Sequence, residues 1–186
     1  MTAHLALVLP GAGYGPGQPV LLLPALAVGQ LGAEVKVVPY PNERPRQPDR
    51  EVTRPFTDQV EGAVRALLAE AEPQTVTFIA KSLGTIALAS LGVLPCEEVR
   101  AIWLTPIFGV DYVRHGAVDK AWPSLVVAGG ADPLHDAAGH AEVVAATGGR
   151  SVVIAGGNHA LEVEGHVVAT VEGWAALVAA VLEFSS

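Results

Sequence analysis

Three residues of this chain have the types, order and settings needed for nucleophilic attack on a carbonyl: Ser82, Asp132 and His159. A serine hydroxyl is a weak nucleophile near neutral pH. It needs a base to take its proton, a group to orient that base, and donors for the oxyanion that forms. Ser82 lies in Thr75-Val-Thr-Phe-Ile-Ala-Lys-Ser-Leu-Gly-Thr85, an apolar run that breaks at the serine and restarts with helical character. The spacing Ala80-x-Ser82-x-Gly84 predicts a nucleophile elbow, a sharp strand-to-helix turn that presents the hydroxyl at the carboxyl end of a sheet. Such a turn brings strand and helix close together, so the positions two before and two after the serine must be small. Asp132 follows a later apolar run in Ala128-Gly-Gly-Ala-Asp132-Pro-Leu-His-Asp136, and His159 follows the last in Gly156-Gly-Asn-His159-Ala-Leu-Glu162. Each has a plainer use. Ser82 and Asp136 can cap helices, Asp132 before Pro133 can form a turn, and His159 can be a loop histidine. The order Ser…Asp…His at the ends of three different strands favours the joint reading. Asp136 competes with Asp132 for the role of acid; Asp132 is preferred because it comes sooner after its strand.

Six short apolar runs must position these residues: Leu5–Leu9, Glu34–Pro39, Thr75–Ala80, Ala101–Thr105, Ser124–Ala128 and Ser151–Ala155. Their near-continuous apolar character is that of parallel strands buried on both faces. Helical patterns alternate with them. Phe56, Val60, Val64, Leu67, Leu68 and Ala71 share one helical face, as do Val167, Val171, Trp174, Val178 and Val181. The pattern predicts a single α/β domain over residues 1–186: a three-layer α/β/α open sheet of about six parallel strands. In a parallel sheet all strand carboxyl ends lie on one side, so loops far apart in sequence can converge there. The proline-dense stretch Pro39 to Arg50 reads as a surface loop, more a solvated connection than a gate.

Composition excludes other classes. The formal charge is −8 and there is no basic patch, which argues against nucleic-acid and anionic-membrane partners. Cys96 is the only cysteine, so no internal disulfide forms and no cysteine metal site exists. His115, His135, His140 and His166 show no ligand spacing, so neither metal nor cofactor is expected. The glycines in Gly11-x-Gly13-x-Gly15-x-Gly17 lack the Gly-x-Gly-x-x-Gly spacing of a dinucleotide loop, and no Gly-Lys-[Ser/Thr] marks a P-loop. The amino-terminal stretch Met1 to Pro10 has no basic region and too short an apolar run for a signal peptide, so a cytoplasmic protein is expected. Lys81 beside Ser82 does not have the Ser-x-x-Lys helical spacing of a dyad and reads as structural.

Together these motifs resemble the small, lidless α/β-hydrolases, in particular the dienelactone-hydrolase-like serine esterases, from about His4 to Phe184. The resemblance implies a minimal α/β-hydrolase fold with strand order 2-1-3-4-5-6 and no cap domain. It implies Ser82 as nucleophile, Asp132 as acid and His159 as base, with the backbone N–H groups of Ala12 and Leu83 as oxyanion donors. Two departures stand out: Ala80 replaces the first elbow glycine, and Pro10 stands where many members carry a histidine. Dienelactone hydrolases proper use cysteine, so the serine here points to other substrates. The implied activity is hydrolysis of small carboxylic esters or thioesters through an acyl-enzyme. A catalytically idle scaffold, or an acyltransferase using the same residues, are the alternatives. Pro106 to Trp122 is too short for a cap, so a shallow substrate site is expected, floored by Gly11 and Gly13 and walled by Tyr14, Ile107, Phe108 and Tyr112.

Overall fold

A computed structural model describes residues 3–186; Met1 and Thr2 of the amino-terminal stretch lie outside the described residues. The chain alternates strand and helix throughout: β1 (His4–Leu9), α1 (Pro19–Gln30), β2 (Glu34–Val37), α2 (Arg50–Ala71), β3 (Thr75–Lys81), α3 (Leu83–Ser90), β4 (Glu98–Leu104), α4 (Asp111–Lys120), β5 (Ser124–Gly129), α5 (Ala137–Thr147), β6 (Arg150–Ile154) and α6 (Val167–Ser185). All neighbouring strands pair in parallel, in the order β2-β1-β3-β4-β5-β6.

Successive side chains of a strand point to opposite faces, and this divides the core in two. Leu5, Leu7 and Leu9 of β1, with Phe78 of β3 and Trp103 of β4, pack beneath α2, α3, α4 and α5. Ala6 and Val8 of β1, with Ile79, Ile102 and Val127, pack beneath α1 and α6. Burial on both faces is therefore confined to the central strands. The edge strands β2 and β6 are mostly exposed, because each has only one neighbour and is partly overhung by helices.

Helix α2 buries the expected stripe of Phe56, Val60, Val64 and Leu68. Asp49 caps it, its carboxylate accepting from the amides of Glu51 and Val52. The last helix departs from expectation. Its buried face is Thr170, Gly173, Leu177 and Val181, whereas Val167 and Val171 face outward. This helix is apolar almost all round, so hydrophobicity cannot choose its face; steric fit does. A Cβ at Gly173 would lie 2.7 Å from Ile154 Cγ2, so the helix turns this smallest residue toward β6. By length and composition α6 is also the one helix among the described residues that could span a membrane, with 22% of its apolar window buried.

The segment between β4 and β5 holds only a turn and the ten-residue α4. No cap domain is present among the described residues. The stretch from Pro39 to Asp49 is irregular, as its prolines require.

Candidate active site

The end of β3 carries a sharp turn into α3. Ser82 has φ 50° and ψ −110°, a left-handed backbone for a residue with a Cβ. Such conformations cost about 1–3 kcal/mol and persist where the surroundings enforce them. Here the Ser82 amide donates to Leu104 O, and its carbonyl accepts from both the amide and the hydroxyl of Thr85. The glycine at position 84 is obligatory on steric grounds. A Cβ there would sit 2.1 Å from Leu9 O of β1. The Ser82 side chain makes no capping hydrogen bond to α3; its hydroxyl is engaged elsewhere.

That partner is His159. Ser82 Oγ lies 2.8 Å from His159 Nε2, and His159 Nδ1 lies 2.7 Å from Asp132 Oδ2. A carboxylate can only accept, so Nδ1 carries the proton and Nε2 is left to accept from the serine hydroxyl. Asp132 is buried and its second oxygen accepts from the Leu134 amide at 2.9 Å, which fixes the carboxylate plane. Asn158 shapes the histidine loop, its side-chain oxygen accepting from the amides of Ala160 and Glu162. The loop is packed against the sheet through Gly129, where a Cβ would fall 2.2 Å from Gly157 O. Asp136, the competing acid, instead caps α5 by accepting from the Ala138 amide.

A carboxylate partner by itself raises an imidazole pKa. The structure lowers that of His159 instead: burial is the main cause, the Lys81 ammonium adds to it, and the bond to Asp132 only partly offsets them.

A cavity of about 590 Å³ opens over these residues, lined by Gly11, Gly13, Tyr14, Ser82, Leu134 and His159 among others. Ala12 also lines it, and Leu83 occupies the first position of α3, where backbone N–H groups have no acceptor within the helix. The expected wall from the segment after β4 does not form. Phe108 turns inward, 1% exposed, with its ring 5.6 Å from that of Trp103. Tyr112 bonds Thr53 Oγ1 and faces a separate cavity between α2, α3 and α4. Ile107 packs on the core and is not part of the cavity lining. Pro133, Leu134 and Ala160, from the loops after β5 and β6, take their place.

Two basic side chains outside the expected site touch this loop cluster. Lys81 is 1% exposed and bonds both Thr105 Oγ1 (3.1 Å) and the His159 carbonyl (2.9 Å). Arg44, from the proline-rich stretch, donates from Nη1 to the carbonyls of Gly11 (3.2 Å) and Ala12 (2.6 Å). That stretch is therefore more than a solvated connection. The available signal for Lys81 was its place at the end of a strand otherwise wholly apolar in its last four residues; Arg44 had none.

No protein-family model matches the chain, and no curated protein sequence does. Solved structures do. An α/β serine hydrolase homologue from Coxiella burnetii superposes with a TM-score of 0.67 at 12% identity, covering 98% of this chain and 85% of its own. Est1E from Butyrivibrio proteoclasticus gives 0.69 at 14% identity, covering 98% and 87%. A protein from Xanthomonas campestris, described as an α/β serine hydrolase without lid, gives 0.64 at 16% identity, covering 99% and 81%. The chain has the α/β-hydrolase fold in its small, lidless form.

Proposed function

We propose that the protein is a serine hydrolase that cleaves small carboxylic esters or thioesters through an acyl-enzyme. The observation that carries this reading is the continuous hydrogen-bonded line from Ser82 Oγ through His159 to the buried Asp132, opening onto a cavity. In the first step Ser82 Oγ attacks the substrate carbonyl carbon while His159 Nε2 takes the hydroxyl proton. Asp132 holds the imidazole in the required tautomer and stabilises the imidazolium. The amides of Ala12 and Leu83 receive the oxyanion. Collapse breaks the bond to the alcohol or thiol, which leaves with the proton from His159. Water then attacks the acyl-enzyme by the same route, releasing the acid and restoring Ser82. The reading is that of a single cytoplasmic domain, with no cofactor in any step.

A panel of p-nitrophenyl esters and acyl-CoA thioesters tests the substrate class. With no cap, and with walls only from Tyr14, Pro133, Leu134 and Ala160, the cavity offers little surface beyond the reacting carbonyl. Each added methylene gains ~0.8 kcal/mol only while there is wall to bury it, so kcat/KM should peak at about two to six acyl carbons. A steady rise to long chains would contradict an open site. No turnover of any ester or thioester, by a folded protein, would favour the idle scaffold.

The lowered pKa of His159 sets the acid limb. The base is active when neutral, and burial and Lys81 disfavour the imidazolium. Activity should therefore persist as pH falls through the ordinary imidazole value of ~6.5, and kcat/KM should halve only below it. A midpoint above that value would show that the Asp132 bond outweighs burial.

A further inference from the structure

Lys81 is a buried cation that the acyl-transfer steps do not use, and its surroundings are specific. An ammonium has three N–H donors. One reaches Thr105 Oγ1, at the end of β4, and one the backbone carbonyl of His159, after β6. Nζ also lies 4.5 Å from the centre of the Tyr14 ring, in the glycine loop after β1. Such a contact is worth more when desolvated. The Tyr14 hydroxyl in turn accepts from the Val20 amide in the first turn of α1, which locks the ring face. Strand alternation explains how neighbours diverge: Lys81 is in phase with Ile79, on the α1–α6 side of the sheet, while the backbone breaks at Ser82.

We propose that Lys81 is a positioning residue: its one ammonium fastens the loops after β1, β4 and β6 to the end of β3 and sets a positive charge behind the His159 imidazole. This rests on the reading of His159 as the base. Fastening has a geometric purpose. The serine, the base and the glycine loop belong to separate strand ends, and a reacting centre displaced by about 1 Å costs on the order of a hundredfold in rate. The charge has an electrical purpose. It opposes protonation of His159 and so keeps the base available below neutral pH.

The groups facing this ammonium are Asp132, from the loop after β5, His159, from the loop after β6, and Tyr14, from the loop after β1. Asp132 favours the charged lysine, but burial outweighs it and brings the Lys81 pKa down to about 8. Burial pushes the Tyr14 phenol upward, away from that range. Above pH 8 the amine loses its charge and one donor, so the fastening weakens and activity should fall along an alkaline limb.

The test is an NMR titration of the His159 imidazole beside a pH profile of kcat, in wild type, Lys81→Met, Lys81→Gln and Thr105→Val. Met removes charge and donors, Gln keeps a donor without charge, and Val removes one acceptor but leaves the charge. The His159 midpoint should move upward in both Lys81 variants and stay in place in Thr105→Val. Lys81→Met should lose about a hundredfold in kcat with KM little changed, and its alkaline limb should vanish. An unmoved His159 midpoint in both Lys81 variants, or an alkaline limb that survives in them, would overturn the proposal. Should Met fail to fold, Gln carries the same two readouts. Labelling of wild-type Ser82 by a fluorophosphonate separates the two levels: labelling with an unmoved midpoint refutes Lys81 alone, whereas no labelling refutes the hydrolase reading.

Discussion

Ser82→Ala should abolish turnover, with a loss in kcat of about 10⁶-fold, the scale seen when a serine hydrolase loses its nucleophile. The change removes one oxygen atom and leaves the fold intact. Ser82 makes no side-chain cap to α3, and the strained turn is held through its backbone bonds to Leu104 and Thr85. Thermal stability should therefore change little. The same variant should no longer label with a fluorophosphonate, which reads an activated hydroxyl beside oxyanion donors. Residual labelling of Ser82→Ala would place the nucleophile elsewhere in the chain.

Asp132→Asn should lower kcat by about 10⁴-fold, because an amide can donate to Nδ1 and so favours the wrong imidazole tautomer. The 2.7 Å contact between Asp132 Oδ2 and His159 Nδ1 makes this variant informative, since nothing else in the site orients the ring through Nδ1. Asp136→Asn provides the contrast. Its carboxylate caps α5, so the loss should appear in stability, about 1 kcal/mol or less, with kcat preserved. Steady-state kinetics of both variants on one short-chain ester decide the matter. Equal or reversed losses in kcat would move the acid to Asp136.

The parallel sheet was readable because burial on both faces leaves strands nearly free of polar residues, as in Leu5 to Leu9 and Ser124 to Gly129. Where that cause fails, the strand still forms but without the expected burial: β2, with its sequence Glu34-Val-Lys-Val37, is an edge strand and mostly exposed. Positions at strand ends follow from topology alone, which is why Ser82, Asp132 and His159 could be named before their distances were known. The cavity walls follow from how loops pack, which composition does not encode. Phe108 is expected as a wall because it belongs to the segment after β4 that stands where a cap would be, yet burying its ring against Trp103 removes it from solvent altogether. Lys81 lacks the Ser-x-x-Lys spacing of a dyad, so its sequence position gives it no part in the site. Its partner is a backbone carbonyl 78 residues away, and no spacing rule reports such a contact.

Arg44 has a consequence beyond bracing a loop. A trans peptide is planar, so its C=O and N–H point in opposite directions, and the described residues include no cis bond. By holding the carbonyls of Gly11 and Ala12 with one guanidinium nitrogen, Arg44 sets the rotation of two successive peptide planes. The N–H vectors of Ala12 and Gly13 are thereby turned away from Arg44 as a pair. Glycine on either side of Ala12 would otherwise leave those planes free to swivel. The angular aim of a backbone donor is thus decided by a side chain that lies outside the cavity, on a proline-stiffened arm reaching in from between β2 and α2.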